Sequence, residues 1–471
     1  MPLRLCVRQV ELARTPCRTR LPFRFGAVTV TSAELATCRV RCTDEAGATV
    51  HGWSADLLVP RWFRKDTAAT PREDADELHA SAVAAAAAFV ERSRTARTPF
   101  ALWRDVFEQR VGSQPVAAPD LLVRGFGTAL LERAVLDAAC RAAAQPFAAA
   151  LRGDAFGFRP GAVHGELADW QWQDALPEPR SRLAVRHTVG MLDVLRTADL
   201  DPARRVDDGL PQTLEQDVEA YGLRWFKVKI GAGVAADRAR LLDLAAFFAE
   251  RDLAPRLTLD GNEQFEDTAQ LAELLETVAV EPAGRELLRT VAWIEQPLSR
   301  AATFDAARHR DLARVSAFAP LILDEADALP GSFPRALAIG YRGVSVKNCK
   351  GVFRALCNFG LCRRGEGRFQ AGEDLTNVAV LPLQQDLVTA AVLGLPHVER
   401  NGHHYFRGLD HLPKALAAQA AQAHGDLYRG LDGGTALRVS GGEVTFGSAL
   451  QAHGYGHALD GHATHLHVVA S

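Results

Sequence analysis

The sequence predicts an α/β protein organised around a (β/α)₈-type barrel, with an α+β domain in front of it. Short apolar runs recur between residues 183 and 400, several with the length and continuity of a strand buried on both faces. Amphipathic patterns such as residues 237–250 separate the runs, so strand and helix alternate as in repeated βαβ units. Charged residues close several of these runs, and the C-terminal strand ends of such a barrel form its active site.

Length and composition favour a multidomain globular protein. The chain has 471 residues, more than one core of ordinary size accommodates, so we expect domains at 1–150, 151–405 and 406–471. A net charge of −3 and the lack of a long apolar run give no indication of nucleic acid or membrane as a partner. The cysteines are dispersed, without Cys-x-x-Cys spacing or an export signal, which predicts reduced thiols in the cytoplasm. A nucleophilic Cys349 or Cys357 is the alternative to buried structural thiols.

The first domain should combine strands with helices. Residues 35–42 and 50–53 flank a turn signal and predict a β-hairpin, whereas residues 21–26 resemble a loop. An alanine-rich pattern at 74–93 predicts a helix, and a second one follows at 100–109. Residues 127–141 form a long amphipathic pattern with an apolar stripe. Strands followed by helices indicate an α+β domain.

The barrel strands follow in order. We predict them at residues 183–189, 225–229, 257–262, 291–295, 321–325, 344–347, 368–372 and 397–400. The interval from 266 to 292 is long for one helix and indicates an insertion. Beyond the barrel, residues 436–446 predict a hairpin. The tail carries His453, His457, His462, His465 and His467, and we expect it to be solvated rather than a metal site.

Three carboxylates should meet at the mouth of the barrel. Asp260, Glu295 and Asp324 close three successive strands, whose ends converge on one mouth. Such carboxylates repel one another unless a cation lies among them, and an all-oxygen set suits Mg²⁺. Asn262 lies two residues past Asp260 and is placed to orient a ligand. The alternative is that each acid pairs with an arginine at an end of the barrel.

Lysines should face this cluster. Lys227 and Lys229 are two residues apart on one strand, so both point into the barrel. Two close ammonium groups disfavour each other's charged form, so we expect one pKa to fall and make that lysine a base. Lys347 closes the sixth strand, across the barrel, where a salt bridge to Asp324 or Glu325 is the structural alternative. A bound divalent ion and a lysine base together would allow removal of the α-proton of a carboxylate, leaving an enediolate.

These motifs resemble the enolase superfamily, in the muconate cycloisomerase (muconate lactonizing enzyme) subgroup. The matching pieces are Lys227-Val228-Lys229, Asp260-Gly261-Asn262, Ile294-Glu295-Gln296-Pro297, Asp324-Glu325 and Val346-Lys347-Asn348-Cys349-Lys350-Gly351. Their order and spacing make the set far more specific than any one piece. The resemblance implies a modified (β/α)₇β barrel, an N-terminal capping domain and a C-terminal segment that returns to the cap. Dimers or octamers are common in the family, so it also implies a homo-oligomer.

The resemblance assigns roles to particular residues. Asp260, Glu295 and Asp324 would bind Mg²⁺, and Lys229 and Lys347 would be the acid/base pair. Lys227 would tune Lys229 and contact the substrate carboxylate. Two segments of the cap, around Phe25 and around Trp53, would close over a small-molecule carboxylate substrate. Further candidates for substrate binding are Asn262, Glu325, Glu373, Asp374 and Glu399.

The sequence departs from the family pattern at the later strands. Val352 replaces the second glycine of the usual pair after Lys350, and the segment from Glu373 fits the subgroup poorly. The paired aspartates of dipeptide epimerases are absent near Glu399. Residues at that end contact the distal part of the substrate, so the sequence leaves open which substrate is used. It also leaves open whether the outcome is racemisation or epimerisation, cycloisomerisation, or dehydration.

Two other functions fit the same residues less well. A Schiff-base aldolase on a similar barrel would use Lys229 or Lys347 as nucleophile and would need no metal. A binding protein that has kept an enolase-like site without turnover would also carry every residue named above.

Overall fold

We describe the chain from a computed structural model that covers residues 2–26, 28–65, 68–114, 118–459, 461 and 465–471. His462 of the tail lies outside these residues. Within them, no helix is long and apolar enough to cross a membrane.

The described strands form a cap sheet, a barrel and a small hairpin. In chain order they are β1 (Leu5–Phe25), β2 (Val28–Asp44), β3 (Thr49–Leu57), β4 (Arg182–Val189), β5 (Trp225–Lys229), β6 (Arg256–Asp260), β7 (Val291–Glu295), β8 (Leu321–Leu323), β9 (Gly343–Val346), β10 (Phe369–Gly372), β11 (His397–Arg400), β12 (Tyr428–Leu431), β13 (Gly434–Leu437), β14 (Glu443–Thr445) and β15 (His467–Ala470).

The described α-helices lie between and after these strands. They are α1 (Pro71–Arg92), α2 (Pro99–Phe107), α3 (Leu121–Ala142), α4 (Phe147–Arg152), α5 (Trp172–Ala175), α6 (Leu214–Tyr221), α7 (Val234–Glu250), α8 (Thr268–Ala279), α9 (Pro282–Arg289), α10 (Leu312–Ser316), α11 (Ser332–Ile339), α12 (Val352–Arg363), α13 (Leu381–Val392), α14 (Gly402–Tyr405), α15 (Lys414–Ala423) and α16 (Gly447–Gln451).

The predicted barrel is confirmed. Strands β4 to β11 are parallel neighbours in sequence order, and β11 pairs back on β4, which closes the barrel. Each predicted barrel strand overlaps an observed one, including the two weaker ones near residues 370 and 398. The long interval after β6 contains two helices, α8 and α9, instead of one. Parallel strands covered by helices on the outside explain why these runs are apolar throughout.

The cap is an antiparallel sheet covered by helices. Its strand order is β15-β1-β2-β3, so the last strand of the chain completes the first sheet. The loop that we expected at residues 21–26 is instead the end of β1, which continues through a register shift between Arg18 and Phe23. Helix α1 begins with a capping box, in which Thr70 and Glu73 bind each other's backbone amides.

Helix α3 lies between the cap sheet and the barrel, and most of its side chains are buried. Gly52 of β3 allows the sheet to approach this helix, because a Cβ there would overlap Ala134 O and Ala138 N. The sequence pattern around Gly52 and Trp53 therefore reflects close packing inside the cap, in a strand that pairs with β2.

The C-terminal segment is more ordered than we expected. The predicted hairpin at 436–446 is wrong, because β13 pairs with β12 while β14 pairs with β4. The prediction of a solvated tail is also wrong at His457. This residue is fully buried, and its Nε2 lies 3.3 Å from Asp137 Oδ1. All eight cysteines are free and buried, and burial raises the pKa of Cys349 well above its ordinary range. Buried, protonated thiols fit a structural role.

Candidate active site

The strand ends bring the predicted acidic residues together on one side of the barrel. Lys229 pairs in register with Asp260, and Asp260 pairs in register with Glu295 on the next strand. Asp324 follows β8, the next strand again. All three carboxylates are almost completely buried.

Lys227 lies at the centre of the barrel interior. Its ammonium group is 3.0 Å from Asp260, 2.8 Å from Glu295, 2.8 Å from Glu373 and 3.1 Å from Glu399. Burial lowers the pKa of Lys227, but the four carboxylates together raise it by more than burial lowers it. The resulting pKa is well above the ordinary value. The expectation that one of the paired lysines has a depressed pKa is therefore wrong for Lys227, whose pKa is raised.

Two lysines face each other across the mouth. Lys229 Nζ lies 2.6 Å from Asp260 Oδ2, and Lys347 Nζ lies 2.6 Å from Asp324 Oδ2. They belong to β5 and to the residue that follows β9, on opposite sides of the barrel, and both line the same small cavity. Burial lowers the pKa of Lys347, but Asp324 raises it, and the net shift is upward.

That cavity is small and is lined by residues of the cap as well as of the barrel. Its volume is about 20 Å³, room for about one water molecule. Four of the residues that we predicted to bind substrate line it: Phe25, Asn262, Asp374 and Glu399. A substrate can enter only if the cap segments move.

Several predicted substrate contacts lie elsewhere. Trp53 is buried in β3, where its backbone amide donates to Asp137 Oδ2 at 2.9 Å, and Trp62 is the indole that lines the cavity. Glu373 lies deeper, paired with Arg186 and Lys227. Glu325 lines a neighbouring cavity of about 900 Å³, 3.9 Å from Lys65. Burial, Asp324 and Glu263 raise the pKa of Glu325 to about 7.

Sequence reasoning missed the residues that hold the cap and the acids in place. Arg300 follows β7 and donates to the backbone carbonyls of Trp62 at 2.8 Å and Phe63 at 2.6 Å, tying the cap segment to the barrel. Trp62 in turn lies over Lys347, whose Nζ is 4.4 Å from the ring centroid. Lys350 donates to Ser345 Oγ at 2.6 Å and lies 3.3 Å from Asp324 Oδ1.

The predicted Mg²⁺ ligands suit a hard cation chemically. Burial raises the pKa of Glu295, and the nearby carboxylates of Asp260 and Glu373 raise it further. Lys227 offsets only part of this shift, so the pKa of Glu295 lies well above its ordinary range. This excess of negative charge and the all-oxygen donor set fit a divalent ion. Each of the three acids contacts a lysine. Among the described residues, three possible ligand atoms lie within 4.8 Å of one another at His187, Asp217 and His403, and the three acids do not form such a group. Binding would therefore require Asp260 and Asp324 to exchange their lysine contacts for the ion.

The capped barrel is the fold of the enolase superfamily, as solved structures of that superfamily show. An enolase from Bradyrhizobium, complexed with magnesium and mandelic acid, is 17% identical, with a TM-score of 0.59 and 94% of each chain covered. A dipeptide epimerase from Enterococcus faecalis, complexed with Mg and the dipeptide L-Leu-L-Tyr, is 14% identical, with a TM-score of 0.60. That match covers 96% of this chain and 99% of the epimerase.

A 2-chloromuconate cycloisomerase from Rhodococcus opacus is 16% identical, with a TM-score of 0.58, covering 93% of this chain and 94% of its own. No protein-family model matches the sequence, and no curated protein matches it. At these identities the likeness shows the fold, which the motifs of the sequence had implied.

Proposed function

We propose that this chain is a Mg²⁺-dependent enzyme that removes the α-proton of a small carboxylate substrate to give an enediolate. One observation carries the proposal: Lys229 and Lys347 lie on opposite strands of the barrel and line one cavity, each held by a carboxylate. Two amines facing one small space are what proton removal from one face and return to the other would need.

The magnesium part of the proposal is supported by the donor set and by two structural neighbours. The enolase from Bradyrhizobium and the dipeptide epimerase from Enterococcus faecalis are both complexed with magnesium. Here Asp260, Glu295 and Asp324 would hold the ion, which when bound would act as a Lewis acid on the substrate carboxylate. Lys227 remains a fixed cation beneath the site and compensates the acids that surround it.

The lysines need to change their contacts before they can react. A base must be neutral to accept a proton, and Asp324 is the main partner that keeps Lys347 charged. Lys347 must therefore separate from Asp324, just as Lys229 must separate from Asp260. Trp62, which lies against Lys347, and Phe25, which lines the same cavity, would keep water away from the exchanging proton.

The reaction outcome follows from which lysine returns the proton, and whether a leaving group departs. Racemisation or epimerisation, cycloisomerisation and dehydration are all compatible with opposed lysines. The large cavity beside Glu325 adjoins the cap segment that carries Lys65, so a larger substrate would extend into it, while Glu399 lines the small cavity of the two lysines.

Exchange of substrate hydrogen with solvent deuterium tests the proposal. Acid sugars, N-acylamino acids, dipeptides and cyclohexadiene carboxylates would be incubated in D₂O with Mg²⁺ and followed by NMR. We expect one class to exchange its α-hydrogen, and we expect Lys347→Ala to lower the rate by about 10²–10⁴-fold. The matched control is Lys414→Ala, an exposed lysine at the start of α15, which should exchange like the unchanged protein.

Chelation provides the second arm of the experiment. Removal of Mg²⁺ should stop exchange, and its return should restore it. Exchange that persists in Lys347→Ala or in the chelated protein would contradict the proposal. Trapping of a carbonyl substrate by borohydride would favour an aldolase instead, and the absence of exchange in every class would favour a binding protein.

A further inference from the structure

A second buried polar cluster lies outside the barrel wall, at the seam where the first and last strands pair. His187 belongs to β4, Asp217 to α6, and His403 and His404 to α14, which follows β11. His187 pairs in register with Arg400, the last residue of β11. Its neighbour Thr188 points into the barrel and binds Glu399, so His187 points outward.

The histidines and the aspartate lie close enough to share an ion. His187 Nδ1 is 3.2 Å from His403 Nε2, and two nitrogen ligands of a tetrahedral zinc ion are about 3.3 Å apart. His187, Asp217 and His403 each offer one ligand atom within 4.8 Å of the others. His404 Nδ1 is 2.9 Å from Asp217 Oδ2, and His187 Nε2 is 3.7 Å from the same oxygen.

Asp217 Oδ1, in a side chain that is 0% exposed, has no hydrogen-bond partner among the described residues. Asp217 Oδ2 and His404 Nδ1 make no recorded hydrogen bond either, but they lie 2.9 Å apart. His403 Nδ1 also lacks a partner, and it is the other ring nitrogen, Nε2, that faces His187. An unpaired polar atom in the interior costs free energy, so such atoms call for a ligand.

We infer that His187, Asp217 and His403 bind a divalent transition-metal ion of the zinc type, separate from the acidic mouth. Two imidazoles and a carboxylate are a donor set for zinc and its neighbours, whereas Mg²⁺ and Ca²⁺ prefer oxygen ligands alone. His404 is a positioning residue, because it contacts Asp217 and fixes the orientation of the carboxylate.

The ion would join parts of the fold that are far apart in sequence. It links the first barrel strand, the helix that follows it and the segment after the last strand, and thereby holds the barrel closed. The cap is connected as well, since Arg20 of β1 donates to the backbone carbonyl of His404 at 2.8 Å. An ion that binds only the folded state stabilises it, so zinc should raise the melting temperature.

Metal content measures the site directly. The full chain, stripped by a chelator, would be saturated with Mg²⁺ to occupy the acidic mouth, equilibrated with Zn²⁺, desalted and analysed by mass spectrometry. We expect one equivalent of zinc in the unchanged protein and less than about a tenth of that in Asp217→Asn and His403→Asn. The controls are His309→Asn, a buried histidine elsewhere in the barrel domain, and the exposed tail pair His465→Ala/His467→Ala. Both should retain the full equivalent.

A second measurement avoids reliance on the variants alone. Co²⁺ bound to the unchanged, Mg²⁺-saturated protein should give the intense visible bands of a four-coordinate nitrogen and oxygen site. Absence of bound zinc, a weak octahedral cobalt spectrum, or loss of zinc in the tail variant but not in Asp217→Asn would overturn the inference. Equal zinc content in the unchanged protein and in His403→Asn would do so too.

Discussion

Buried titratable side chains at the barrel mouth differ from those along helix α3 in the groups that contact them. At the mouth, Lys227, Lys229 and Lys347 contact carboxylate side chains. Along α3, backbone amides contribute: Glu132 accepts from Phe353 N at 2.7 Å, and Asp137 accepts from Trp53 N at 2.9 Å. A side-chain ion pair can exchange partners, whereas an acid bound to backbone amides of another element cannot do so without local unfolding. The mouth is therefore suited to chemistry, and α3 to joining the cap to the barrel.

Charged side chains of helix α3 connect it to the cap strand β3 and to the C-terminal segment. Arg133, fully buried, donates to Ala55 O at 3.0 Å and pairs with Asp56 on β3. Asp137 also accepts from Tyr455 N at 2.6 Å, which attaches the C-terminal segment to the same helix. Asp137 also contacts Arg141 on the same helix, whereas at the mouth Lys227 alone contacts four carboxylates.

The largest effect is expected from a substitution at the mouth that keeps the positive charge of a lysine but removes its ability to act as a base. Lys229→Arg retains a cation beside Asp260, but a guanidinium cannot be deprotonated in proteins. We expect deuterium exchange to fall by about 10²–10⁴-fold, because the general base is lost. Urea unfolding should change much less than exchange does. A variant that still exchanges at the original rate would show that Lys229 is not a base.

Removing the central lysine should affect stability instead. Lys227→Met leaves Asp260, Glu295, Glu373 and Glu399 without the cation they share. Loss of one partner from a buried ion network costs about 3–5 kcal/mol, and we expect a loss of that size in urea unfolding. Lys414→Met, at an exposed position, is the control. Added Mg²⁺ should recover part of the loss if the proposed ligands bind it, and unchanged stability would show that the acids are protonated.

The sequence predicted the barrel well because its strands carry their own signal. Runs such as residues 291–295 are apolar on both faces and end in a charged residue, so period and length suffice. The end of β1 was missed because Pro22 and the register shift after Arg18 interrupt the alternation that marks a strand. Burial of His457 was missed because its partner, Asp137, is more than 300 positions away.

The sequence predicted which residues meet at the site better than it predicted the pKa values of their side chains. The expected fall in a lysine pKa considered only Lys227 and Lys229, while Glu373 and Glu399 arrive from strands far along the chain. The low number of lysines in the sequence could have indicated the site residues that were missed. Of 54 basic residues only six are lysines, and all but Lys414 lie at the mouth or beside Glu325. Arginine supplies the positive charge elsewhere, so each lysine was a candidate, including Lys65 and Lys350.

The smallest expected effect is on how the stability linked to helix α3 depends on pH. Burial raises the pKa of Glu132 to about 8, against 4.5 for the free side chain, and backbone amides offset only part of that shift. The folded chain therefore holds a proton that the unfolded chain releases between pH 4.5 and about pH 8. The stability linked to Glu132 is complete below pH 4.5 and declines as pH rises toward 8.

Glu132→Gln should remove this decline, because an amide carries no proton to lose. Relative to the unchanged protein, the variant should gain stability from pH 5 to pH 8, by a few kcal/mol at most. Urea unfolding at several pH values measures the difference, with Glu91→Gln on the exposed side of α1 as the control for loss of a carboxylate. Parallel pH profiles for Glu132→Gln and the unchanged protein would mean that Glu132 is ionised in the fold. The charges of α3 would then need a cation, as those of the mouth do, and the contrast between the two regions would fail.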